Sequence, residues 1–158
     1  MEKTARDAQV DAVLRAGNVL LRVVAQSVVE VEDVVTSPQL RVLVLIASHG
    51  PQSSGAIAAE LGVHPSNATR TCDRLVNSGL IVRKDVPGDR RYVALALTSK
   101  GASLVNGVLE HRRNAIASVI ERMPEDLRRA VAEGMDAFAA ADGGGGAEDG
   151  RFTVDLES

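Results

Sequence analysis

The sequence predicts a mostly α-helical fold that includes one small two-stranded β-sheet. Most of the chain repeats apolar residues at helical spacing. In residues 92–97, by contrast, Val93, Leu95 and Leu97 alternate with Tyr92, Ala94 and Ala96 as the two faces of a strand do. The size is also informative, because 158 residues with 45% hydrophobic content can bury one core. We therefore expect a single domain built from helices and one hairpin.

Two helices are predicted in the first third of the chain. Residues 5–35 carry one apolar stripe and predict a long first helix. The stripe consists of Val10, Val13, Leu14, Leu21, Val24, Val28, Val31 and Val35. The second helix is predicted to begin at Pro38, with Ser37 as its N-cap, and to end before Gly50.

The third and fourth predicted helices are separated by a short turn around Gly62. Ser53 or Ser54 caps the third helix, and the fourth runs from Pro65 to about Asn77. At 100° per residue, the fourth helix sorts its residues by chemistry. One side carries Ala68, Thr71, Cys72 and Leu75, and the other carries Ser66, Arg70, Asp73, Arg74 and Asn77. This pattern is typical of a helix-turn-helix, whose second helix enters the DNA major groove.

A β-hairpin is predicted directly after the fourth helix. Residues 80–82 and 92–97 read as strands, and Pro87-Gly88 suits the centre of a type II turn. The connection between these strands carries four bases, Arg83, Lys84, Arg90 and Arg91. A hairpin in this position is a wing, and its basic tip suits a DNA groove.

Two further helices and an acidic tail complete the chain. Thr98 is expected to cap the fifth helix, and Pro124-Glu125-Asp126 opens the sixth, where acids match the helix dipole. Residues 142–158 combine a glycine run with five acids and one base, so we expect a flexible acidic tail.

The distribution of charge favours nucleic acid, although the formal net charge is −3. Between His64 and Gly101 there are seven bases and three acids, which gives this segment a charge of +4. The tail, with five acids and one base, has a charge of −4 and hides the basic segment in the total. A local basic patch is what a binder of the phosphate backbone needs.

Several other classes of protein are disfavoured. No phosphate-binding glycine loop, nucleophile elbow or histidine–carboxylate pair predicts an enzyme, and no cofactor is expected. The single cysteine, Cys72, and three scattered histidines lack metal-ligand spacing. Three aromatic residues are too few to stack single-stranded nucleic acid. No apolar run reaches the length of a membrane span and no signal core is visible, so we expect a cytoplasmic protein with no membrane partner.

Two motifs resemble the MarR (multiple antibiotic resistance regulator) family of winged helix-turn-helix transcription regulators. Residues 61–81 are similar to the family's recognition-helix segment. Asp89-Arg90-Arg91, followed by residues 97–101 (Leu-Thr-Ser-Lys-Gly), is similar to its wing signature. The resemblance covers about residues 10–140. It departs at His64, where the family often places a serine N-cap.

The resemblance implies a single domain over residues 1–141, with the tail of residues 142–158 outside it. The winged helix-turn-helix DNA-binding headpiece would occupy about residues 37–98, and helices at about 5–35 and 99–141 would form the dimerisation region. The resemblance also implies a homodimeric repressor that binds a palindromic operator in double-stranded DNA. A small anionic or phenolic effector would release it.

The same resemblance implies which residues contact DNA. On the recognition helix they are Ser66, Asn67, Thr69, Arg70 and Arg74, and on the wing they are Lys84, Asp89, Arg90 and Arg91. Arg91 would reach the minor groove, and Asp89 would orient the wing arginines rather than meet the duplex itself.

Each of these residues also has a plainer interpretation. The arginines could form an ordinary solvated surface, and Ser66 and Asn67 could serve only local capping and hydrogen bonding. Cys72 could sense oxidants, but its place among apolar residues favours inert packing. The alternative function is a winged-helix module that binds protein and not DNA. A basic helix face combined with a basic wing argues against that alternative.

Overall fold

The structure is a computed structural model that describes residues 2–143, with the side chains of Glu2, Lys3 and Arg90 left out. The predicted tail therefore lies outside the described residues from position 144 onward. The elements are α1 (Glu2–Val29), α2 (Ser37–His49), α3 (Ser54–Glu60), α4 (Pro65–Asn77), β1 (Ile81–Val86), β2 (Asp89–Leu97), α5 (Ser99–Glu121) and α6 (Glu125–Ala141). The predicted fold class, mostly α with a two-stranded antiparallel wing, is confirmed.

The first helix is shorter than the sequence predicts, because α1 ends at Val29 and not near residue 35. Residues 30–34 form turns, and Val31 N donates to Val28 O at 3.2 Å. Three of these five residues are acids, which are unfavourable beside the negative end of a helix dipole. Val35 is instead buried in the core around α2, so the apolar stripe continues beyond the helix itself.

The same helix corrects a second expectation, that no apolar stretch is long enough to span a membrane. Thr4–Val29 has 26 residues and a mean hydropathy of 1.4 in its most apolar window, of which 11% is buried. Arg15 and Arg22 interrupt the apolar run but leave its average high. Arginine is costly inside hydrocarbon, so the length and mean hydropathy of α1 do not by themselves make it a membrane helix.

The second helix begins one residue earlier than expected. Thr36, and not Ser37, is the N-cap: its hydroxyl accepts from Gln39 N at 3.4 Å, and Gln39 Oε1 accepts from Thr36 N at 2.8 Å. This reciprocal capping box satisfies two amides that the helix leaves unpaired. Pro38 remains in the first turn, where a missing N–H costs nothing.

The described chain divides into two compact units, and the central unit, Val28–Leu109, contains the hydrophobic core. Its most deeply buried side chains come from α2, α3, α4, the start of the hairpin and the first half of α5. They include Leu43, Ile57, Leu75, Leu80, Ile81 and Val105. Burial of these aliphatic groups holds α3 and α4 in a fixed relation within this unit.

The strands are longer than predicted, and the connection is a two-residue turn at Pro87-Gly88, where Gly88 has a φ of +91°. Leu80 precedes β1 and is not part of it. The register pairs Ile81 with Leu97 and continues to Asp85, after which a bulge interrupts the ladder. Charged residues therefore form the strands beyond the core, where both faces are exposed and the alternation of apolar and polar residues is lost.

The alternation predicted for β2 is only partly observed. Leu95 is buried as expected, but Val93 is exposed and Ala96 is buried. The physical reason is position along the strand: the end near the core is covered on both faces, and the outer end is covered on neither. Gln52 pairs with Leu95 through backbone hydrogen bonds of 3.0 and 2.7 Å. This isolated bridge adds a third backbone segment beside the covered end of β2.

The terminal unit contains α1 up to Ser27, α5 from Glu110, and α6. Arg112 Nε donates to Ser27 Oγ at 2.8 Å, both residues are buried, and burial lowers the pKa of Arg112. No residue of α6 is buried. Large apolar side chains stay exposed on α1 (Val10, Val13, Leu14, Leu21) and on α6 (Leu127, Met135, Phe138).

Candidate nucleic-acid interface

The turn between α3 and α4 is fixed by local chemistry. Gly62 has a φ of +61°, a conformation that glycine adopts without strain, and Val63 N donates to Ala58 O at 3.0 Å. His64 is the N-cap of α4, and its Nδ1 accepts from Ser66 N at 3.3 Å. Histidine thus takes the place that serine often holds in the family that the sequence resembles, and α4 starts at Pro65 as predicted.

The two faces of α4 have opposite chemistry. Ala68, Cys72 and Leu75 are buried, and Thr71 is half-buried beside them. The outward face exposes Ser66, Asn67, Thr69, Arg70 and Arg74, all five of the residues expected to contact DNA on this helix. Within the described part of the chain, neither Arg70 nor Arg74 forms an ion pair. Their guanidinium groups are therefore available to an anionic or hydrogen-bonding ligand.

Two of the smaller polar groups on this face already have partners within the helix. Ser66 Oγ lies 2.7 Å from Nδ1 of His64, the N-cap residue. This contact fits the plainer interpretation of Ser66, that it supports the helix cap. Thr69 Oγ1 donates to Pro65 O at 3.0 Å. Each hydroxyl oxygen retains acceptor capacity, but a ligand would have to share these groups with the helix.

The hairpin, which we call the wing (β1 and β2), carries its bases on exposed strands. Lys84 and Arg91 are exposed, while the side chain of Arg90 lies outside what the structure describes. Asp89 Oδ1 accepts from the backbone N–H of Arg91 at 3.0 Å. Asp89 thus shapes the backbone of the turn that presents Arg91, as an aspartate in a tight turn commonly does.

Sequence reasoning missed one contact, between α4 and the wing. Arg83, which the sequence groups with the other wing bases, forms a hydrogen-bonded ion pair with Asp73 on α4. The side chains are 50% and 49% exposed, so the pair lies at the surface. The sequence did contain one signal for this contact. Asp73 is an acid among the basic and polar residues on the outer side of α4, where a carboxylate needs a nearby cation.

The carboxyl end of α4 is held by the start of α5. Gly79, with a φ of +73°, ends the helix, and Thr98 Oγ1 donates to its carbonyl oxygen at 2.6 Å. Lys100 Nζ donates to Ser78 O at 3.1 Å. A Cβ on Gly101 would lie 2.0 Å from Leu80 O, so only glycine permits this approach. These contacts fix the far end of α4 within the central unit.

Cys72 is buried beneath the outward face of α4. Burial is the main cause that raises its thiol pKa above the ordinary value of 9.0; the carboxylate of Asp73 raises the pKa further, and Arg83 opposes the change. A thiol with a raised pKa is a poor nucleophile at neutral pH, which favours the packing role over redox sensing.

Comparison with known proteins supports the similarity suggested by the two motifs. Residues 35–93 match the model of the MarR family. The HTH-type transcriptional regulator YfiV of Bacillus subtilis is 32% identical over 104 residues, which are 66% of this chain and 65% of YfiV. The HTH-type transcriptional regulator Mb0904 of Mycobacterium bovis is 30% identical over 104 residues, which are 64% of this chain and 73% of Mb0904.

A solved structure extends the comparison to the fold. The crystal structure of RV1404 from Mycobacterium tuberculosis is 39% identical to this chain, with a TM-score of 0.78. The match covers 87% of this chain and 94% of RV1404. The helix-turn-helix, the wing and these similarities agree, and the chain belongs to the MarR family.

Proposed function

We propose that this protein is a transcriptional regulator that binds specific sequences in double-stranded DNA. The observation that carries the proposal is the outward face of α4, where Arg70 and Arg74 are exposed and form no ion pair within the described residues. In a helix-turn-helix this helix enters the major groove, where arginine can donate two hydrogen bonds to guanine.

In this proposal the two DNA-binding elements have different tasks. Arg70, Arg74, Ser66, Asn67 and Thr69 face the major groove. Lys84, Arg90 and Arg91 bring the positive charge of the wing to the minor groove and its phosphates, where cations bind with little regard to base identity. Asp89 holds the turn and does not contact DNA, since a carboxylate beside phosphates would be repelled.

The apolar surfaces of the terminal unit support a homodimer. Exposed Val13, Leu14 and Leu21 on α1, and Met135 and Phe138 on α6, form stripes that one copy leaves uncovered. Stripes of this kind mark interaction surfaces. A second copy is a better cover than lipid, because α1 also carries Arg15 and Arg22.

Two-fold symmetry determines what such a dimer can bind. The two recognition helices would read a palindrome whose half-sites lie about one helical turn, roughly 34 Å, apart. Occupying a palindrome near a promoter would repress transcription, and a small anionic or phenolic effector that changes the spacing of the two headpieces would release it. The proposal needs no catalytic step, and it places the protein in the cytoplasm, where the DNA is.

Selection of duplexes from a random-sequence pool by the full-length protein, followed by footprinting of the selected duplex, tests the proposal. We expect a palindromic site with two protected half-sites. A pool from which no duplex is enriched above background would contradict DNA binding. It would favour the alternative, a winged-helix module that binds protein.

A further inference from the structure

The contact between Asp73 on α4 and Arg83 on β1 assigns these two residues a role that the proposed function does not include. We infer that Asp73 and Arg83 are positioning residues, which set the angle of the wing relative to α4 so that base reading and groove binding occur together. This inference rests on the proposed DNA binding. It removes Arg83 from the set of bases that meet phosphate.

The charges of the two residues explain why they occur as a pair. Asp73 lies on α4 next to Arg74, and its side chain is half-exposed. An unpaired carboxylate there would repel the phosphates that the neighbouring arginine attracts. Arg83 neutralises it, and the donors of a guanidinium that are held by a carboxylate are no longer available to a phosphate.

The position of the pair along the wing explains its mechanical effect. Among the hydrogen bonds and ion pairs of the described residues, this is the only one that joins α4 to either strand. Beyond Arg83 the residues of β1 are mostly exposed, and the ladder contains a bulge after Asp85. A two-stranded hairpin has little rigidity of its own. The tip would therefore change its angle more freely if the pair were broken.

Removal of the acid distinguishes positioning from simple electrostatics. Asp73→Asn deletes one negative charge beside the proposed DNA site, and charge alone predicts tighter binding to every duplex. Positioning predicts instead that binding to the selected duplex weakens relative to a scrambled one. Asp85→Asn is the matched control, because it deletes an exposed acid from β1, the strand that carries Arg83, and leaves the pair intact.

The experiment measures the ratio of affinities for the selected and the scrambled duplex in full-length wild type and variants. We expect Asp73→Asn and Arg83→Met each to lower this ratio roughly two- to fivefold, the range for an exposed pair. The double variant Asp73→Asn/Arg83→Met should lower the affinity ratio no further than either single variant does. Arg83→Lys, which keeps the charge, should retain most of the ratio. Asp85→Asn should leave it unchanged.

A second measurement tests what Arg83 touches. If it holds Asp73 and no phosphate, Arg83→Met leaves the salt dependence of binding to the scrambled duplex unchanged, whereas a lost phosphate contact lowers the slope by about one unit. Thermal unfolding of each variant verifies that the surface changes leave the fold intact. The inference is overturned if Asp73→Asn raises affinity as Asp85→Asn does, or if the two single effects multiply in the double variant. A wild-type protein that selects no duplex would instead overturn the proposed function, and this inference with it.

Discussion

The hydroxyl of Thr98 donates a hydrogen bond of 2.6 Å to the carbonyl oxygen of Gly79, although 19 residues separate them. Thr98 Oγ1 also accepts from the amide of Gly101 at 3.1 Å, so the side chain of Thr98 both ends α4 and begins α5. The carboxyl end of α4 is therefore tied to the first turn of α5 within the central unit.

The tight approach at this junction predicts the effect of Gly101→Ala. The added methyl group would lie 2.0 Å from Leu80 O, a backbone atom that cannot move away freely. We expect a loss of about 1–3 kcal/mol in the free energy of unfolding, measured with urea at fixed protein concentration. Gly107→Ala in the same helix is the control, because nothing lies within 4 Å of its added methyl group. The control should gain up to about 1 kcal/mol from helix propensity, and equal effects of the two changes would contradict the prediction.

Burial of Cys72 predicts how stability depends on pH. The folded state raises the thiol pKa, whereas the thiol of the unfolded chain keeps its ordinary pKa of 9.0. The stabilisation is therefore complete below the unfolded pKa and is lost as pH rises through the higher folded pKa. Unfolding free energies between pH 7 and pH 10 should fall more steeply for wild type than for Cys72→Ala. Parallel curves, or rapid reaction of the native thiol with a thiol reagent at pH 7, would show that the thiol is not protected.

The two elements of the proposed DNA interface should fail in different ways. Arg70→Ala should cost about 1–3 kcal/mol in binding and relax base preference at one position in each half-site. Arg91→Ala should weaken binding to selected and scrambled duplexes alike and lower the salt slope by about one unit. Titrations at several salt concentrations measure both effects. Folding is expected to be intact because both side chains are exposed, and two variants that bind like wild type would reject the proposed interface.

The exposed apolar stripe of α6 predicts a variant that assembles poorly. Phe138 is 58% exposed in a single copy, and Phe138→Asp places a charge where the partner copy would pack. We expect light scattering at micromolar concentration to show a dimer for wild type and a shift toward monomer for this variant. Ala140→Asp, on the opposite side of the same helix, should remain dimeric. A monomeric wild type would contradict the homodimer itself.

The helix boundaries around the candidate site could be predicted because they depend on local chemistry. The predicted start at Pro65 and the predicted end near Asn77 agree with the observed α4, and Ala68, Cys72 and Leu75 share its buried face in both the prediction and the structure. Such signals act over a few residues and need no knowledge of the rest of the fold.

What the sequence did not predict depends on tertiary context. The apolar periodicity continues past the end of α1, so the sequence assigns Val35 to that helix. Only the tertiary structure shows that Val35 instead packs in the core of the central unit. The strands extend into charged residues that show no alternation. The pairing of Asp73 with Arg83 depends on how the wing folds back onto α4, which spacing alone does not determine. The DNA contacts of the exposed residues stay predictions.

The central unit buries a core of its own, whereas α6 buries no side chain within one copy. Residues that would read bases and residues that would bring two copies together therefore lie on separate surfaces with separate constraints. Under the proposed function, a change on α6 would alter how two copies assemble and leave the base-reading residues of α4 as they are. A change at Arg70 or Arg74 would in turn alter base preference without changing the surface proposed for dimerisation.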